Sequence, residues 1–378
     1  MSSRVENINP EVLRQCREQA GFSHADVEKR IKFVADVEEG GRLLTFNQLD
    51  ILAKLYHVPR WVFVSEVLPE KYQFDKTVPA FRQFTRDGVN IFNRSGVRIL
   101  IAKIERLRDL ILELREEMDE RIEEFDPPGL SKSESPQIAA RQVRQWLDEE
   151  GNLELLQWRE KLEEKNIFVF MTSKYRGWSH MDKDAFRGLA LYHPTLPIIV
   201  INDSDAKKAQ SFTLFHELGH LLRGENAIDG WSNQNQRMEK WCEEFAGNVL
   251  MPADPFLSVI RDYDISDLSD IEPMAKRFKV STYACLVRLR QLNIINQILY
   301  IKIETQIKRE LARFQKILKG KTGGHARNMP TEALRQYGQI YTNALFQAYH
   351  NGEIGLHKLC KLFDFKQASH ALQLEEKL

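Results

Sequence analysis

Residues 211–222 read SFTLFHELGHLL, and no other stretch constrains the fold as tightly. His216 and His220 stand four apart, with Glu217 beside the first. On an α-helix, positions i and i+4 share a face, so both imidazoles can grip one zinc ion. Glu217 sits one step round the helix. It is poorly placed as a third ligand in the same grip, but it can face the open coordination position as general base. In that arrangement zinc acidifies a water and polarises a carbonyl, and Glu217 carries the proton to the leaving amine. The flanking residues Leu214, Phe215, Leu221 and Leu222 are apolar. A helix flanked in this way buries its two imidazoles, and buried polar groups need partners. A shared metal is therefore favoured over a chance run of letters.

A catalytic zinc takes three protein ligands and keeps one position open. The next helical stretch, RMEKWCEEFAGNVLMP at 237–252, supplies the third. Its apolar face runs through Met238, Trp241, Cys242, Phe245, Val249 and Leu250, and Glu239 and Glu243 lie along one edge of it. Glu239 is the expected third ligand. Glu243, one turn on, is expected to hold the other N–H of a ligand histidine. Glu225 and Asp229 are weaker ligand candidates, and Cys242, in the middle of the apolar face, reads as core.

The rest of the chain supplies a frame for this motif. Charged residues make up 29% of 378, with 54 basic and 54 acidic side chains, so no global field draws the protein to nucleic acid. No apolar run approaches the length of a membrane span, and the first residues lack the apolar core of a signal peptide. The four cysteines are far apart in sequence, which fits a reduced, cytoplasmic chain.

Three helices are expected before residue 60, with Ser23 and Thr45 as caps. A long amphipathic helix is expected over about 90–125, and DPPGLSKSESP at 126–136 reads as a linker. NIFVFM, GLALYHP and LPIIVIN are the candidate strands, followed by a helix over 207–222. LPIIVIN is the expected edge along which an extended peptide would lie. The division expected is 1–68, a helical N-terminal domain; 69–136, connector and linker; 137–300, the domain bearing the histidines; and 301–378, a helical C-terminal region. The fold class is α+β, a small twisted sheet against the histidine-bearing helix, with all-α regions on either side.

AFRGLALYHPTLPIIVIND, SFTLFHELGHLL and EKWCEEFAGNVLMP together resemble the ImmA/IrrE family of metallo-endopeptidases. The resemblance covers about 140–300. It implies a zincin-like fold with His216, His220 and Glu239 on Zn2+ and Glu217 as base, and Asn202 also fits its pattern. Glu243 stands where the family usually has Asn. The N-terminal segment resembles an Xre-like helix-turn-helix, about four residues short in the turn and recognition helix. Residues 1–60 carry nine basic and nine acidic side chains, no excess with which to bind phosphates. The run 274–295 reads as a second helix-turn-helix packed on the peptidase. Residues 302–327 hold eight Lys/Arg against two Glu and read as a solvated helix face.

The function expected is zinc-dependent cleavage of a specific protein, such as a repressor or regulator. The alternative is an antitoxin-like or transcription-regulating protein that holds a toxin partner, DNA or both.

Overall fold

The computed structural model describes residues 4–378 except 74–94, 122, 132, 176–177, 183–184, 225–232, 262 and 319–326. The chain divides into two compact units, one built mainly from 1–113 with 175–186, the other mainly from 114–174, 187–225 and 231–378. The boundary expected at 300 does not divide units. Residues 301–378 pack in the second with the sheet.

The first unit contains α1 (Pro10–Gln19), α2 (His24–Glu28), α3 (Val34–Glu38) and α4 (Phe46–Tyr56). Ser23 and Thr45 cap α2 and α4 as expected, each in a reciprocal capping box, with Asp26 and Gln48. The five-residue α3 is an addition to the three helices expected. Leu13, Val27, Val34, Leu44, Leu52 and Phe63 form the core. Through it runs one ion pair, Arg17 Nε to Glu38 Oε1 at 2.9 Å, with side chains 7% and 3% exposed. Next comes α5 (Ser95–Glu117), within the long helix expected; residues 90–94 of that stretch lie outside the described ones. Arg98 donates to the carbonyls of Glu18 and Gln19 at the end of α1, and Arg106 to that of His57 at the end of α4. Cations there satisfy orphan carbonyls and complement the helix dipole.

In the second unit α6 (Pro136–Trp146) and α7 (Leu155–Glu163) precede β1 (Phe168–Met171), β2 (Gly188–Leu191) and β3 (Ile198–Ile201). Then follow α8 (Lys207–Arg223), α9 (Asn233–Leu250), α10 (Ala253–Ile260), α11 (Leu268–Arg277), α12 (Thr282–Gln291) and α13 (Gln297–Leu318). The last helices are α14 (Met329–His350), α15 (Leu356–Leu362) and α16 (Ala368–Glu375). All three strands are wholly buried, as continuous apolar runs require. The second helix-turn-helix expected, α11 with α12, sits in the same core, with Met274, Phe278, Leu286 and Leu289 buried.

Strand order is β1-β3-β2, with β1 parallel and β2 antiparallel to β3. The LPIIVIN strand is thus central and cannot take a peptide on its edge; β1 and β2 are the edges. A four-residue apolar strand reads the same at the centre or the rim, which is why the run itself could not settle this.

The β1 edge is sealed. Phe168 and Thr172 donate to Pro197 and Ile201, so the Val169 carbonyl faces away from β3, and Arg159 Nη2 donates to it. Arg159 pairs with Glu163 at 2.7 Å, both side chains 4% exposed. The same pair holds a break in α14, where Gly338 has φ 74° and ψ −176°. Arg159 donates to the carbonyls of Arg335 and Gln336 before the break, and Glu163 accepts from the amide of Gln339 after it. The cation meets the carbonyl end of one half-helix and the anion the amide end of the next. A side chain at 338 would collide with Glu163 and Arg159.

Glu163→Ala leaves Arg159 buried without its counter-charge. Loss of one partner from such a pair costs about 3–5 kcal/mol. Urea unfolding of the full chain should show a loss of that size, against less than about 0.5 kcal/mol for an ordinary surface substitution.

Candidate metal centre

The turn from β3 into α8 sets the direction of the helix that carries the histidines. The buried Asn202 side chain accepts from Thr172 Oγ1 at 3.1 Å and from the Ser204 amide at 3.0 Å. Asp203, also buried, is held by Arg335 from α14 and by Gln210 Nε2 at 3.2 Å. With its carboxylate paired in this way, α8 leaves the sheet along one path. It ends at Gly224 in the left-handed conformation that favours glycine. Phe215 is fixed edge-on against Trp158 of α7, ring centroids 5.0 Å apart.

On this helix His216 and His220 point the same way, Nε2 to Nε2 3.3 Å. Glu239 of α9 reaches both, 3.2 Å from His216 Nε2 and 3.4 Å from His220 Nε2. The three side chains form a group able to hold a metal ion. Bonds of about 2.05 Å in a tetrahedron keep ligand atoms about 3.3 Å apart, so the three separations fit a tetrahedral zinc with one position left over. The donor set, two imidazoles and a carboxylate, suits the same ion.

Two glycines allow this approach. A side chain at Gly219 would lie 3.0 Å from Cys242 Sγ and 3.3 Å from Phe245 of α9, so a larger residue there would push the two helices apart. At Gly188 of β2, an added carbon would lie 2.9 Å from both Cγ and Oε1 of Glu217 and would collide with Thr213. Glu217, 4% exposed, thus has its carboxylate pressed against the β2 backbone. Neither glycine carries a sequence signal of this role, because the atoms it admits come from another element.

The electrostatics favour a cation. Partial desolvation between the helices opposes the charge on Glu239, although about half its side chain is exposed, but hydrogen bonds to His216 and His220 outweigh it and hold the carboxyl well below the usual range. Burial would likewise lower the His220 pKa; the adjacent Cys242, then Glu239 and Glu217, outweigh it and raise the imidazole well above its ordinary value.

His216, His220 and Glu239 therefore converge, with Glu217 on the same helix and its carboxylate against β2. Glu243 lies exposed on α9, and Cys242 beside it is buried. Glu225 and Asp229 lie outside the described residues.

Residues 164–290, about a third of the 378, match the Peptidase M78 family model, described as IrrE N-terminal-like domain. The match runs from before β1 through α12 and takes in all four residues above. It supports the resemblance to the ImmA/IrrE metallopeptidases. No curated protein matches the chain.

The purified protein should carry about one zinc per chain, and Glu239→Ala should lose most of it; elemental mass spectrometry reads both. Ligand imidazoles must be neutral, and His220 in the metal-free protein holds its proton above its ordinary pKa. Zinc uptake at neutral pH should therefore release a proton, and affinity should weaken as pH falls. Calorimetric titration in buffers of different ionisation enthalpy checks the sign.

Proposed function

We propose that this protein is a zinc-dependent endopeptidase acting on a protein substrate. The observation that carries the reading is the triangle of ligand atoms, 3.2, 3.3 and 3.4 Å on its sides, with the Glu217 helix position beside it. His216, His220 and Glu239 would hold the ion. When bound, zinc lowers the pKa of water and polarises a carbonyl. Glu217 accepts the water's proton and returns it to the amine that leaves. Its burial against β2 removes competing solvent and fixes the carboxylate in one place.

The sheet supports a place for the substrate. Asn202 N donates to the Arg187 carbonyl, so Arg187, Leu189 and Leu191 face β3, and the backbone groups of Gly188 and Ala190 face the other way. An extended peptide can pair with those groups as an added strand. With β1 sealed by Arg159, β2 is the edge this reading assigns, in place of LPIIVIN.

Glu217→Gln keeps shape and removes the base. Incubation with a mixed peptide library, read by mass spectrometry, should show cleavage by the zinc-loaded wild type. In the variant the rate should fall about 10²–10⁴-fold while zinc stays bound. Cleavage at the wild-type rate by the variant would refute the mechanism.

A second reading concerns the N-terminal unit, which we infer to dock a protein rather than read DNA. The helix in the recognition position, α3, has five residues, and its exposed acids are Asp36 and, at its end, Glu39. Phe46, Trp61, Val64 and Val67 are all about half exposed or more. A toxin-like partner in the cytoplasm fits such a surface. Weak, strongly salt-dependent binding to any duplex would mean only phosphate contact; tight binding to one sequence would favour DNA instead.

A further inference from the structure

Glu239 has a side chain 53% exposed, so little packing of its own fixes it; its position follows from its helix. The far end of α9 is well anchored. Arg144 donates to the Val249 carbonyl at 2.7 Å, and Arg288 to the Met251 carbonyl at 3.0 Å and to Asn248 at 2.7 Å. Those anchors lie about 15 Å along the axis from Glu239, at 1.5 Å per residue. A different group holds the turn that bears the carboxylate. Trp241 donates from Nε1 to the Glu134 carbonyl at 2.9 Å. Arg223, three residues after His220, donates to the same carbonyl at 3.1 Å and to that of Ser131 at 2.9 Å. Its guanidinium lies 3.9 Å from the Trp241 ring centre, and that ring stacks on Phe245 at 5.2 Å and 6°.

We propose that Ser131 and Glu134, in the stretch that composition marks as a linker, form a strap that positions the third metal ligand. One guanidinium fork and one indole N–H converge on two carbonyls, tying the end of α8, just past His220, to the middle of α9, just past Glu239. The strap spans the two helices that supply the ligands on the side where the buried arginines do not reach. Arg223 and Trp241 are positioning residues: they hold the helix that holds the carboxylate. The stretch is fixed by its backbone, so its small and polar side chains carry no trace of the role. This inference rests on the reading of His216, His220 and Glu239 as zinc ligands.

The test is zinc affinity of the full chain, by competition with a chromophoric chelator, alongside the absorption spectrum of the cobalt-substituted protein. Trp241→Phe keeps the stacked ring and removes the N–H. Arg223→Ala removes the fork. Tyr283→Phe, on the exposed face of α12, is the control. The first two should bind zinc about 10–100-fold more weakly than the wild type. Their cobalt spectra should change, with circular dichroism and the metal-free melting temperature of Trp241→Phe unaltered. Tyr283→Phe should match the wild type. Zinc bound by the wild type and held equally well by Trp241→Phe and Arg223→Ala would overturn the strap. A wild type that binds no zinc would instead overturn the metallopeptidase reading beneath it.

Discussion

The close approach of α8 and α9 is the constraint on which the rest depends. It is set where Gly219 meets Cys242 and Phe245, and a larger residue there would push the backbones apart. At this separation Glu239 stands 3.2–3.4 Å from both imidazoles. A tetrahedral ion tolerates little more, since its bond lengths are fixed to within about 0.2 Å. Cys242 fills the space beside Gly219. The apolar face of α9 is thus also a wall of the site.

A second theme is the use of arginine to finish helices. Arg98 and Arg106 take the last carbonyls of α1 and α4; Arg144 and Arg288 take those of α9; Arg159 takes those of the first half of α14. A guanidinium offers five donors in a plane and stays charged when desolvated, which suits buried carbonyl ends better than an ammonium does. Burial lowers the Arg144 and Arg288 pKa values, to about 10 for Arg288, still far above neutrality. These contacts turn helix ends into fixed points, and in the second unit they anchor the far end of α9. The Arg159–Glu163 pair does more: while holding the broken helix it also covers the outer edge of β1.

The first unit is a closed helical body with its own core. Its caps and core are in place, and the Arg17–Glu38 pair ties α1 to α3. The five-residue α3 carries exposed acid at Asp36. Apolar side chains stand on the surface near α4 and the turn Arg60–Val64. Phosphate affinity needs net positive charge; a protein partner needs apolar anchors, and the surface offers the second.

Much was determined by the sequence alone. The four-residue spacing of His216 and His220, the apolar strands and the caps at Ser23 and Thr45 are set by contacts between near neighbours, so short windows revealed them. The choice of Glu239 followed from helix periodicity, because one face of α9 had to be core. Tertiary structure decided the remainder. Which strand is central, why Gly188 and Gly219 lack side chains, that Gly338 breaks α14, and that Ser131 and Glu134 are held by Arg223 and Trp241 all depend on residues far apart in the chain. Periodicity and local propensity describe how a segment packs against something. Only the folded backbone specifies what that something is.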